Sequence, residues 1–92
     1  MRDITLKTPN DMIKAISKNV RTRRKMQMLS MARLSELSGV SYGSIRRFEE
    51  TGEVSLKSLI KIAIVLDCAD DFKDIFKQTK PMSIQEIIDG NL

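Results

Sequence analysis

The side chains best suited to chemistry lie between Ser41 and Arg47, where the chain reads Ser-Tyr-Gly-Ser-Ile-Arg-Arg. A helix capped by Ser41 puts Ile45 and Phe48 on one side and leaves Tyr42, Gly43, Ser44, Arg46 and Arg47 on the other. Small, hydroxyl-bearing and guanidinium groups in front of an apolar back suit the major groove of double-stranded DNA. Catalysis is not expected. The chain has no histidine and one cysteine, Cys68, which has no obvious base. No metal-ligand spacing or phosphate loop occurs, so neither metal nor cofactor is called for.

Several elements must hold that helix in place. Ser30 caps a preceding helix that runs to Ser38 with Leu34 and Leu37 turned inward. Gly39 can end it in the left-handed conformation, and Val40 plugs the turn. Gly52 is the exit from the second helix. Upstream, Thr8-Pro9-Asn10-Asp11 is a helix start, with a hydroxyl cap, a proline at the first position and a carboxylate at the dipole's positive end. That helix continues to about Gln27, with Met12, Ile13, Ile16 and Val20 at spacings of three and four. Its far end carries Arg21, Arg23, Arg24 and Lys25. Two uses compete for this cluster: favouring the helix dipole, or phosphate contact if the neighbouring stretch binds DNA.

Downstream, Ser55 caps a helix through Asp67 whose Leu56, Leu59, Ile60, Ala63 and Leu66 form the floor of the core. Asp70 opens a short helix whose Phe72, Ile75 and Phe76 close the bundle. Pro81 breaks the chain, and Ser83-Ile84-Gln85-Glu86 has the capping-box pattern of a final turn or two carrying Ile84, Ile87 and Ile88. Residues 1–8 alternate weakly through Ile4 and Leu6, which reads as a frayed terminus or as an arm pairing with its twin. No convincing strand follows. The expectation is an all-α fold, a bundle of about five helices over 9–79, with an extended arm at 1–8 and a helical tail at 80–92.

Charge is unevenly distributed. Lys and Arg number 16 against 12 Asp and Glu, a net of +4. Residues 1–50 hold eleven basic and five acidic side chains, whereas 51–92 hold five and seven. The front half therefore suits a polyanion and the back half is available for a protein partner, although a solvated charged surface produces similar skews. A lone cysteine excludes an internal disulfide and fits a reducing cytoplasm. No apolar run approaches the roughly 20 residues that span a bilayer, and no membrane association is expected.

Val20 with Arg24, then Leu29-Ser30, Leu34, Gly39-Val40-Ser41, Ile45, Phe48-Glu49 and Gly52, followed by the Leu56, Leu59, Ala63 and Leu66 series, resemble the Xre/Cro-repressor class of helix-turn-helix proteins. The likeness covers roughly residues 16–76. It implies a lambda-repressor-like bundle that binds operator DNA as a two-fold dimer. The family's base-reading positions fall on Tyr42, Gly43 and Arg47, with Ser41, Ser44 and Arg46 near the backbone or base edges. Arg47 would take guanine through O6 and N7, a pairing worth roughly 1–3 kcal/mol of discrimination. Tyr42 would meet a sugar or thymine methyl, and Gly43 would permit close approach.

Phosphate contact is expected from Ser30, Arg33, Arg21, Arg24 and Lys25. The family often has glutamine where Met31 stands, and a basic residue where Glu53 stands. The segment GVSYGSIRRFEETGEVSL, followed by an aspartate-rich helix, is also similar to regulators encoded beside Hip-type kinase toxins. That likeness implies an alternative role as an antitoxin with a partner toxin.

Overall fold

The computed structural model describes residues 8–77 and 83–90. Six helices occur among them: α1 (Pro9–Met26), α2 (Met31–Ser38), α3 (Tyr42–Thr51), α4 (Leu56–Val65), the single turn α5 (Asp70–Lys73) and α6 (Ile84–Asp89). No strand is present among the described residues. The fold is the all-α bundle expected, with α6 as its tail helix. Residues 1–7 of the arm expected at 1–8, and the break at Pro81, lie outside the described residues.

Helix boundaries follow from hydroxyl caps. The side-chain oxygens of Thr8, Ser30, Ser41 and Ser55 accept hydrogen bonds from the backbone N–H groups of Asp11, Arg33, Ser44 and Ser58, at 3.0 to 3.1 Å. Each satisfies a donor that the first helical turn leaves without a partner, a contribution of about 1 kcal/mol. Helices α2 and α3 end on Gly39 and Gly52, both left-handed, at φ 77° and 82°. Helices α1 and α4 instead turn through Met28 and Asp67, both at φ 59°. In each of these two ends the next residue, Leu29 or Cys68, donates back to the carbonyl of Arg24 or Ala63. This is the double-bonded Schellman closure, formed here without glycine.

The core is Leu34, Val40, Ile45, Phe48, Ile62 and Leu66, with Val20, Leu29, Met31, Val54, Leu59, Val65 and Cys68 packed around it. Helices α2 and α3 meet across the Gly39–Val40 turn, and serines clamp that turn. Ser35 donates its hydroxyl proton to the Val40 carbonyl at 2.6 Å, and Ser38 Oγ accepts from the Val40 N–H at 3.1 Å.

Several expected core positions are corrected. In α2 the inward pair is Met31 and Leu34, while Leu37 remains 47% exposed. The helix is only two turns long, so its periodicity does not by itself fix which leucine faces inward. Helix α4 carries more apolar residues than one inward face can hold, so spacing alone left that face ambiguous. Ile62 is fully buried, in register with Leu59, Ala63 and Leu66, and Leu56 is exposed. Met12, Ile13 and Ile16 on α1 are half exposed. Phe76 does not close the bundle: α5 lasts one turn, and a left-handed residue 76 (φ 63°) carries the ring fully into solvent.

The two glycine turns differ in what surrounds them. A Cβ at Gly39 would meet nothing, whereas at Gly52 it would collide with the Ile13 side chain of α1. Gly39→Ala is therefore expected to lower stability by about 1 kcal/mol through backbone strain alone. Gly52→Ala should lower it by about 2 kcal/mol or more, since a clash is added. Urea denaturation followed by circular dichroism measures both.

Candidate nucleic-acid interface

Helix α3 presents two faces with different partners. Ile45 and Phe48 are buried. Glu49 sits beside them, also turned inward, and binds α1. Arg24 Nε donates to Glu49 Oε2 at 2.7 Å and Arg24 Nη2 to Glu49 Oε1 at 2.9 Å. The remaining nitrogen, Nη1, donates to the Leu29 carbonyl at 2.7 Å. Both side chains are almost sealed from water, at 9% and 6% exposure. Hydrogen bonding to Glu49 raises the Arg24 pKa above its ordinary value, with Glu49's charge assisting and desolvation opposing.

The outward face holds Ser41, Tyr42, Gly43, Ser44, Arg46 and Arg47, all exposed. Ser41 caps the helix and donates to Ser44 Oγ at 2.8 Å. The two arginines are held by carboxylates. Arg46 Nε donates to Glu50 Oε2 at 3.0 Å along the helix, and this contact raises the Arg46 pKa. Arg47 donates to Glu53 Oε1 through Nε at 2.8 Å and through Nη2. At the start of α2, exposed Ser30 caps the helix beside Arg33, whose Nη1 donates to Glu36 at 3.0 Å.

The cation cluster at the end of α1 divides in two. Arg24, expected among the phosphate contacts, has its guanidinium committed to Glu49 and to the Leu29 carbonyl. Its alternation with exposed neighbours follows from helical geometry, because only one residue in three or four can face α3. Arg23 is also engaged within the fold: its Nε and Nη2 donate to the carbonyls of Leu66 and Asp67, each at 3.3 Å. Gln27 Nε2 adds a bond to the Leu66 carbonyl at 2.8 Å. A guanidinium from α1 and the amide of the residue that follows it thus cap the C-terminal end of α4, where helix carbonyls lack partners and the dipole favours positive charge. Arg21 and Lys25 are exposed.

Met31, where the family often has glutamine, packs against the core rather than reaching outward. Cys68 lies at the α4 terminus, half buried, and desolvation is the main cause that raises its thiol pKa. That is the behaviour of a packing residue and not of an activated nucleophile.

These features define a class: a small all-helical bundle in which a clamped helix-turn-helix exposes a polar, arginine-bearing second helix. A helix-turn-helix family model of the Xre/Cro type matches residues 20–72, more than half of the chain. The protein belongs to that helix-turn-helix family, whose domain is a DNA-binding one. No curated protein and no solved structure matches the chain significantly. Among the described residues, no helix is long and apolar enough to cross a membrane.

The division within α1 is measurable. Arg24→Ala leaves Glu49 buried without its partner and should lower stability by about 3–5 kcal/mol. Arg21→Ala, at an exposed position, should change it by no more than about 0.5 kcal/mol. Thermal or denaturant melts of the two variants side by side read the difference.

Proposed function

We propose that the protein is a sequence-specific transcriptional regulator that represses by binding operator DNA as a two-fold dimer. The observation that carries this reading is the division of α3. Every inward group is occupied by the bundle, and Tyr42, Gly43, Ser44, Arg46 and Arg47 are left together on one exposed face. Seated in the major groove, that face would read bases chiefly through Arg47, with Tyr42 against a sugar or thymine methyl and Gly43 allowing the backbone close. Ser41, Ser44 and Arg46 would flank it at the backbone.

Ser30, Arg33 and the N-terminal turn of α2 form the first phosphate anchor, where backbone N–H groups and the dipole favour an anion. Arg21 and Lys25 form the second. Arg24 is left out, because its guanidinium is occupied within the fold. Two copies related by a dyad would place their α3 helices in successive major grooves about 34 Å apart.

Arg47→Ala is expected to weaken operator binding by roughly 1–3 kcal/mol and to relax preference at one base pair. Arg33→Ala should weaken all sequences alike and reduce the salt slope by about one. Fluorescence polarisation on the DNA upstream of the gene, over a salt series, separates these outcomes. If neither substitution changes binding, α3 is not the recognition element.

A second role, compatible with the first, is favoured by an apolar cleft of about 430 Å³ lined by Ile16, Val20, Leu59, Ala63, Phe72 and Ile75. Exposed Ile84 and Ile88 on α6 add further uncovered apolar area. Surfaces of this kind suit a protein partner, and an antitoxin that neutralises a toxin while regulating its own operon would use one. Co-purification of the product of a neighbouring gene, lost on truncation after Lys80, is the expected result. A chain that purifies alone with that gene co-expressed removes this role.

A further inference from the structure

We propose that Glu53 is a specificity-determining residue that orients Arg47 and shields it from phosphate. This rests on the reading of α3 as the base-reading helix. A guanidinium offers two edges for paired hydrogen bonds, Nε with Nη2 and Nη1 with Nη2. Glu53 Oε1 accepts from both nitrogens of the first edge. The edge bearing Nη1 is the one left for O6 and N7 of a guanine.

The placement of Glu53 is built into the end of α3. Gly52 turns the chain in the left-handed conformation. The Thr51 hydroxyl donates to the Arg47 carbonyl at 2.7 Å and accepts from the Glu53 N–H at 3.2 Å. One side chain thus ties the Glu53 backbone to the same helical turn that carries Arg47. Helix-borne Glu50 treats Arg46 differently, through a single bond four residues along the same surface.

Charge gives the arrangement its consequence. An arginine without a carboxylate neighbour attracts any phosphate and so strengthens binding to every sequence. Beside Glu53 the local charge is cancelled, and a phosphate approaching Arg47 meets a like charge. A guanine edge is a neutral acceptor and meets far less repulsion. The pair is exposed, at 67% and 63%, so it adds little to folding stability. Its effect falls on the competition between bases and backbone, where the two alternatives differ in charge.

The test uses the full chain and a random-sequence duplex library, with wild type, Glu53→Gln, Glu53→Ala and Arg47→Ala selected in parallel. Each protein is then titrated against the enriched duplex and the unselected library across a salt series, with thermal melts to confirm folding. Glu53→Gln keeps an acceptor and loses the charge. It should bind the unselected library more tightly, steepen the salt slope by about one, and lower the specific-to-nonspecific ratio about tenfold. Glu53→Ala should also weaken enrichment of the guanine that Arg47→Ala abolishes.

Wild-type ratio and slope in both Glu53 variants, alongside a lost guanine in Arg47→Ala, would overturn the role of Glu53 and leave α3 as the reader. A wild-type motif in Arg47→Ala, or no motif for the wild type, would overturn the reading of α3 and this inference with it.

Discussion

The pairing of Arg24 with Glu49 is the constraint on which the rest of the structure depends. Two charged groups in an apolar setting are tolerated only when each finds its full set of partners. Here the guanidinium gives Nε and Nη2 to the carboxylate and Nη1 to the Leu29 carbonyl, so no charge is left uncompensated on either side chain. The geometry is directional in a way that Phe48 and Ile45 are not. Apolar packing would permit α3 to slide or rotate slightly on α1, whereas two parallel bonds to one carboxylate set its rotation. Whatever the outward face does, its aim is set from behind by this pair.

The end of α1 performs a second task on the opposite side. Arg23 and Gln27 receive the terminal carbonyls of α4, so one helical turn is bonded to α3 through Arg24 and to α4 through its neighbours. A short chain with few large core side chains gains from such bonds, because burial alone gives a small domain only a modest margin. The same bonds reduce the number of cations at this end of α1 that could meet a polyanion.

Local signals carried much of the fold. The caps at Thr8, Ser30, Ser41 and Ser55, and the turns at Gly39 and Gly52, depend on residues within a few positions of one another and were legible for that reason. The roles of Arg23 and Arg24 were not, because Glu49 and the α4 carbonyls lie 25 to 44 residues away and a run of cations looks alike whether it faces phosphate or carbonyl. Ile62 was hidden by the excess of apolar residues on α4, and Leu37 by a helix too short for its periodicity to be decisive. Only the folded turn reveals the bond from Ser35 to Val40. For the candidate interface, Tyr42, Gly43, Arg46 and Arg47 could be read from helical phase alone. Glu53 could not be tied to Arg47, since the tie runs around a left-handed glycine.

Helix α3 uses Ile45, Phe48 and Glu49 for the fold and Tyr42, Gly43, Arg46 and Arg47 for its outer surface, with no residue shared between the two sets. The helix is therefore mutationally partitioned. Evolution can rewrite the outward residues while the scaffold's tolerance to substitution stays nearly constant. A gene duplicate could acquire a new outer surface on this helix without passing through an unfolded intermediate, and a combinatorial library confined to those four positions would consist largely of folded variants.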